Sequence, residues 1–448
     1  MNKAFLYKVA GILILTLLMT WAITYVNEII LERQTRHSEV KNQIAKNSAG
    51  TQTLTGPVLV IPYVEEYPVK IGEGKDEKIV TQSVSGYVYL LPKDLQLSGG
   101  FTNEYKKLGI YKALMYQLGG IIKGEFKIPA QLNLKSDHEQ GVFRFKPAYL
   151  SIGISDARGV YGNPTLSWSG QPLNFSQGSQ LNTLGNGIHA KLGHLEVSND
   201  QNILFEIKLN LRGMETFSFV PIAESNSITL KSNWQHPHFN GSFLPDAASQ
   251  KVDANGFSAK WAVSSLSSSN QDNLIRKLNG ESTISLEPLS IGFVEPINVY
   301  SQADRATKYG LLFISLTFAG FFVFETLKQL RIHPAQYTLV GLSMSLFYLL
   351  LVSMAEHIGF ALAYVSASLA CVSLLAYYLS YVLKSKINGI FFAGLLTALY
   401  GALYAILASE DNALLMGSLL VFGLLAVTMI VTRKIDWYQI GETKQLIN

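Results

Sequence analysis

The acid and imidazole pair Glu356 and His357, in MAEHIGF at 354–360, stands between two long apolar runs and is the first place where titratable chemistry could sit. A carboxylate beside an imidazole inside a membrane would suit a proton or metal site. Adjacent helical residues point about 100 degrees apart, so the pair reads instead as the solvated or interfacial turn of a helical hairpin. Glu410 and Asp411 fall at a second such turn. His236 and His238 in NWQHPHF would share one face of a strand, but Pro237 separates them and the nearest further ligand type, Asp246, lies eight residues on. A zinc site needs three or four convergent ligands, so the segment reads as turn and packing. The sequence contains no GxSxG elbow, Walker loop, HExxH or paired-cysteine motif. No catalytic residue, metal site or cofactor is therefore assigned. Glu325 reads as close to the end of an apolar run, within reach of water or Arg331, and no Asp, Glu, Lys, Arg or His falls near the middle of any run, which argues against an ion relay. The single cysteine, Cys371, lies mid-run and reads as a small packing residue.

These residues must be positioned by two kinds of element. The 448-residue chain is 48% hydrophobic and only 15% charged, outside the usual soluble range. The apolar character is confined to the two ends. Residues 9–26, VAGILILTLLMTWAITYV, are long for a signal peptide and lack a small-x-small cleavage site, so 1–26 reads as an uncleaved anchor. NEIILERQTRHSEVKNQIAKNS has the i, i+4 charges of a polar helix, giving a stalk over 27–50. Residues 51–308 read as a mainly-β domain, a mainly antiparallel sandwich or pair of sandwiches of about a dozen strands, with one short helix near NEYKKLGIYKALMYQ (103–117) and a loop at SSLSSSNQDN. Five further spans fill 309–432, leaving a tail over 433–448. Tyrosines within the spans, among them Tyr348, Tyr364, Tyr377, Tyr378, Tyr381, Tyr400 and Tyr404, read as interface anchors and interhelical hydrogen-bond donors, a ligand cavity being the alternative.

The expected fold is thus an N-terminal anchor helix, a large exported mainly-β domain and a C-terminal five-helix transmembrane bundle. Lys3, Lys8, Lys328, Arg331, Lys384, Lys386, Arg433, Lys434 and Lys444 fall on one side of the six-span scheme, while the short turns on the other side hold no Lys or Arg. The positive-inside rule then makes both termini cytoplasmic and 27–308 external. The modest net charge of +4 is partly that bias and carries no nucleic-acid inference.

Several long stretches together resemble the CreD family of bacterial inner-membrane proteins: SNWQHPHFNGSFLP (232–245), GFSAKWAVSSL, ADRATKYGLLFISLTFAGFFVFE (303–325), IHPAQYTLVGLSMSLFYLLLVSMAEHIGFALAY (332–364), LYGALYAIL with SEDNALLMGS (399–418), and DWY at 436–438. LGIYKALMYQ (108–117) is similar as well, with KKL ahead of Gly109 in place of a more arginine-rich approach. The resemblance implies a protein of the bacterial inner membrane with 27–308 in the periplasm, associated with envelope integrity, stress response and a two-component regulatory system. It supplies no catalytic residues. The expected action is binding, with the bilayer and a periplasmic or membrane protein, lipid or glycan as partners; Trp234, His236, Phe239, Phe243 and Trp261 are the candidate contacts. A transporter or lipid- and glycan-handling role of the helical bundle is the alternative.

Overall fold

The computed structural model describes residues 3–71, 78–130, 132, 134–136, 138–195, 199–281, 283–293, 295, 299–328, 332–383, 385–409 and 413–433. Two compact units divide the chain: 39–296, and 1–38 together with 297–448. Helix α1 (Lys3–Asn47) runs through the boundary without a break, because nothing after Gly11 interrupts it. In its apolar part Thr16, Thr20 and Thr24 each donate to the carbonyl four residues earlier, at 2.9, 3.2 and 2.9 Å. Their hydroxyls are thereby satisfied within the helix, as a lipid environment requires.

The 39–296 unit begins with β1 (Gln52–Ile71), β2 (Lys78–Leu90), β3 (Asp94–Leu108), β4 (Tyr111–Ile128), β5 (Val142–Phe145) and β6 (Ala148–Ile154). There follow β7 (Thr165–Trp168), β8 (Gln171–Asn174), β9 (Ser176–Gln177), β10 (Gly187–Gly193), β11 (Gln201–Met214) and β12 (Thr216–Val220). The last are β13 (Ser225–Ser232), β14 (Pro237–Gly241), β15 (Lys251–Asp253), β16 (Gly256–Ser264), helix α2 (Asn270–Leu278) and β17 (Leu289–Phe293). One sheet has the order β14-β17-β12-β1-β6-β10-β9, with β2 and β5 paired to the long β1; the other runs β15-β16-β13-β3-β4-β11-β7-β8. Most pairs are antiparallel, and β1–β12 and β13–β3 are parallel. Alternation drives the layering: along β11 the residues Ile203, Phe205, Ile207, Leu209 and Leu211 are buried while their neighbours face outward. They meet Leu54, Leu59, Ile61, Leu150 and Ile152 of the other sheet in one core.

Two sequence expectations fail here. Residues 103–117 form no helix but the tip of the β3–β4 hairpin, with Leu108 opposite Tyr111 and Gly109 at φ +63° in the two-residue turn. Ala113, Leu114, Met115 and Tyr116 have respectable helix propensity, yet β4 is held on both edges, by β3 and by β11, and that pairing overrides a few tenths of a kcal/mol per residue. The SSLSSSNQDN stretch is likewise not all loop, since α2 starts at Asn270. Leu274 and Leu278 form its buried face at i, i+4, and the buried Asn270 amide donates to the carbonyls of Pro221 (3.2 Å) and Glu287 (2.8 Å). Near the end of α1, Arg158 donates to the Lys46 carbonyl and pairs with Asp156 at 2.7 Å, while Asp156 also accepts from the Gly50 amide at 3.1 Å. The guanidinium of Arg158 holds the Asp156 carboxyl below the usual carboxylate range, against the opposing effect of burial.

The other unit contains α3 (Val299–Lys328), α4 (Pro334–Ile358), α5 (Phe360–Val382), α6 (Lys386–Ala408) and α7 (Ala413–Thr432). Helix α3 starts ten residues before the apolar run at Tyr309. Among the described residues, α1 and α3 to α6 are long and apolar enough to cross a membrane, and α7 carries a shorter apolar stretch, Leu415–Val427. His333 caps α4, its ring accepting from the Ala335 amide at 3.2 Å while Gln336 accepts from the His333 amide at 3.0 Å, and Pro334 occupies the first turn. Phe313, Phe318, Phe321, Tyr337, Phe347 and Phe392 fill the interior. At Gly341 a Cβ would stand 2.7 Å from Met19 Sδ and 2.8 Å from Phe318 Cζ, so glycine lets α1, α3 and α4 meet there without displacing those two side chains.

Candidate functional site

The sequence-derived contact residues divide between interior and surface. Trp261, on β16, is only 1% exposed, and Phe239, on β14, is half-buried and stacks edge-on against Phe257 (5.5 Å) and Trp261 (5.7 Å). These two are packing residues, and Trp261 has no surface to offer a partner. Their spacing in the sequence gives no sign of this, because the burial arises from the β14–β17 and β13–β16 pairings. Phe243 is half-buried against the core. Trp234 is half-buried, its indole N–H donating to the His236 carbonyl at 3.1 Å and its ring edge-on to Tyr105 at 6.3 Å. Lys112 lies 4.5 Å over the Tyr105 ring and 3.8 Å from Glu295. Partial burial and then the Glu295 carboxylate push the Tyr105 hydroxyl up to about 12. A depression of about 460 Å³ adjoins Ser232 and is lined by Lys231, Lys251, Asp253 and Phe257. His236 and His238 are both exposed, and no group of three His, Cys, Asp or Glu fit for a metal occurs among the described residues.

A second feature was not singled out by the sequence. The β1–β2 ribbon continues in unbroken register from Leu59 opposite Leu90 to Ile71 opposite Lys78. Only β1 pairs with β2, so along its 13 residues the outer edge of β2 makes no backbone hydrogen bond among the described residues. Ile79, Val80, Val84 and Tyr87 are 69, 44, 46 and 52% exposed. Natural edge strands are usually protected by charge, proline, bulges or shortness. This one has a single charge, Lys78, and none of the other devices.

On the same ribbon Glu65 is buried, accepts from Ser136 Oγ, and lies 3.5 Å from His138 Nδ1. The His138 ring stacks on Tyr67 at 3.6 Å. Serine, histidine and glutamate are thus together, but the Ser136 hydroxyl is directed to the carboxylate and the His138 carbonyl, not to the imidazole. Nucleophilic catalysis requires the hydroxyl on the base, so this trio holds a loop to the ribbon.

In the helical unit, MAEHIGF is helix as far as Ile358, and the reversal takes one residue, Gly359 at φ +80°. The expected solvated turn is therefore only half right. His357 is exposed in the last helical turn, whereas Glu356 is half-buried and accepts from Tyr300 Oη at 3.0 Å, at the start of α3. Their divergent directions follow from the 100-degree step. Glu410 and Asp411 lie outside the described residues. Glu325 departs further from expectation: it is 3% exposed, is paired with Lys8 of α1, and accepts from the Ile332 amide (2.8 Å) and Tyr337 Oη (2.9 Å). Cys371 is buried 3.3 Å from Tyr400 Oη and 3.6 Å from Ser343 Oγ, packing three helices together.

The family described as Inner membrane protein CreD matches residues 4–438 of the chain. The chain belongs to the CreD family. It is 35% identical over 432 residues, 96% of its own length and 93% of the relative's, to the Inner membrane protein CreD of Escherichia coli (strain K12). CreD membership and the apolar helices together make this a membrane protein whose helical unit is embedded in a lipid bilayer, joined in one chain to a β-rich domain. The CreD description is of an inner-membrane protein and names no catalytic activity.

Proposed function

We propose that the protein is a non-enzymatic support of cell-envelope integrity and stress response, linked to a two-component regulatory system, whose 39–296 unit lies in the periplasm and acts by binding a partner. The envelope and regulatory parts rest on the family resemblance. The binding part rests on the open edge of β2: a long, nearly uncharged edge with exposed Ile79, Val80, Val84 and Tyr87 is suited to accept an extended segment of another protein as an added strand. Trp234, His236 and Phe243, with the depression beside Ser232, are the second candidate contact. Anchoring through α1 on one side and α3 on the other keeps the domain at the membrane, where a bilayer-bound partner is concentrated. The transporter alternative draws no support from the helical interior, which is filled by aromatic and aliphatic side chains.

The test is a double variant, Val80→Lys and Val84→Lys, expressed in a strain lacking the gene. Two charges on the exposed edge should abolish complementation of an envelope-stress phenotype while leaving membrane level and thermal unfolding unchanged. Full complementation by the folded variant overturns the strand-addition reading.

A further inference from the structure

We propose that the groove between α5 and α6 is a binding site for one acyl chain of a bilayer phospholipid. The groove has a volume of about 340 Å³ and runs from Tyr364 to Val372 on α5 and from Thr397 to Tyr404 on α6. That size and its aromatic lining with a few polar groups are typical of small-molecule sites between bundle helices. Gly401 makes the hollow: an added Cβ there would meet nothing within 4 Å. The floor is fixed, because Tyr364 Oη donates to the Tyr400 carbonyl at 2.7 Å and the Tyr364 and Tyr404 rings stand 5.1 Å apart.

Position along the helices identifies the occupant. Tyr364 is four residues from the start of α5 and Tyr404 four residues from the end of α6, so the groove opens about 6 Å from the helix ends. Val372 is twelve residues in, about 18 Å, which makes the groove about 12 Å long. One leaflet supplies about 15 Å of hydrocarbon. A chain entering from the leaflet on the Phe360 side matches both the depth and the apolar lining. Ser368 and Thr397 spend their hydroxyl protons on carbonyls of their own helices, leaving no donor aimed at a polar ligand deep in the groove. Tyr404 Oη, at the mouth, makes no hydrogen bond among the described residues, and there it can donate to the ester region of the lipid.

Native mass spectrometry of the full chain released from membranes in mild detergent tests this. The wild type should carry one phospholipid, and Gly401→Leu should cut its occupancy at least tenfold, because the leucine Cβ has open space and its side chain would occupy the hollow, while leucine is the better helix former. Ile390→Phe, at an exposed position of α6 outside the groove, should keep the lipid. A phospholipid with a photoreactive acyl chain should label the 364–372 and 397–404 peptides in the wild type and in Ile390→Phe but not in Gly401→Leu. Equal occupancy in Gly401→Leu and wild type, equal loss in Ile390→Phe, or a wild type holding only detergent or an isoprenoid would each overturn the proposal.

Discussion

At Glu325 one carboxylate accepts from Lys8, from the Ile332 amide and from Tyr337, so α1, α3 and α4 share a single anion. Removing it strands three donors, two of them buried, and a stranded buried donor costs about 1–3 kcal/mol. Glu325→Leu is therefore expected to destabilise the helical unit by about 3–5 kcal/mol, the range for breaking a buried pair from one side. Glu325→Gln retains an oxygen acceptor and should lose less than half of that. Thermal unfolding in detergent, with Tyr337→Phe combined in a double-mutant cycle, checks both; additive losses would show that the two groups are uncoupled. The sequence placed Glu325 near a helix end but could not find its partner, because Lys8 is 317 residues away. Cys371 was legible as packing because a thiol in an apolar run has few other uses. Trp261 was not, because a tryptophan beside polar residues looks the same whether its strand edge is covered or open.

Among the elements, the period-2 alternation identified strands well, whereas pairing partners and open edges were hidden, because β1 meets β12 and β6 through contacts 89 to 165 residues distant in sequence. The junction at the end of α1 belongs to the same class of long-range contact. Asp156 and Arg158 fasten the Lys46 carbonyl and the Gly50 amide. Since the Asp156 carboxyl lies below its ordinary value in the fold, its stabilisation is fully present above the unfolded value of about 3.9 and is lost as pH falls from there through the folded value. Asp156→Asn should consequently be less stable than wild type at pH 7, with the difference closing below about pH 4. Urea titrations followed by tryptophan fluorescence measure it. A gap that persists unchanged at pH 3 would assign the loss to packing rather than to the charge.

For the molecule as a whole, the parity of the spans decides on which side of the membrane each chain end lies. Among the described residues five helices are long and apolar enough to cross, and α7 decides the matter: counted without it, the two chain ends lie on opposite sides; counted with it, on the same side. Helix α7 has 20 residues, which at about 1.5 Å each give about 30 Å, equal to the hydrocarbon thickness. No charged residue occurs in ALLMGSLLVFGLLAVTMIVT, and Arg433 and Lys434 follow it directly. By the positive-inside rule, positive residues at the far end of a span favour a cytoplasmic position for that end, and Lys3 and Lys8 give the N-terminus the same bias. The proposed scheme of six crossings with both ends inside predicts residue 150 in the periplasm. A reporter enzyme active only in the periplasm should work when fused at 150 and fail at the C-terminus, where a fluorescent protein that folds only in the cytoplasm should light up. Periplasmic activity at both positions would mean that α7 does not cross, and activity at the C-terminus alone would invert the scheme.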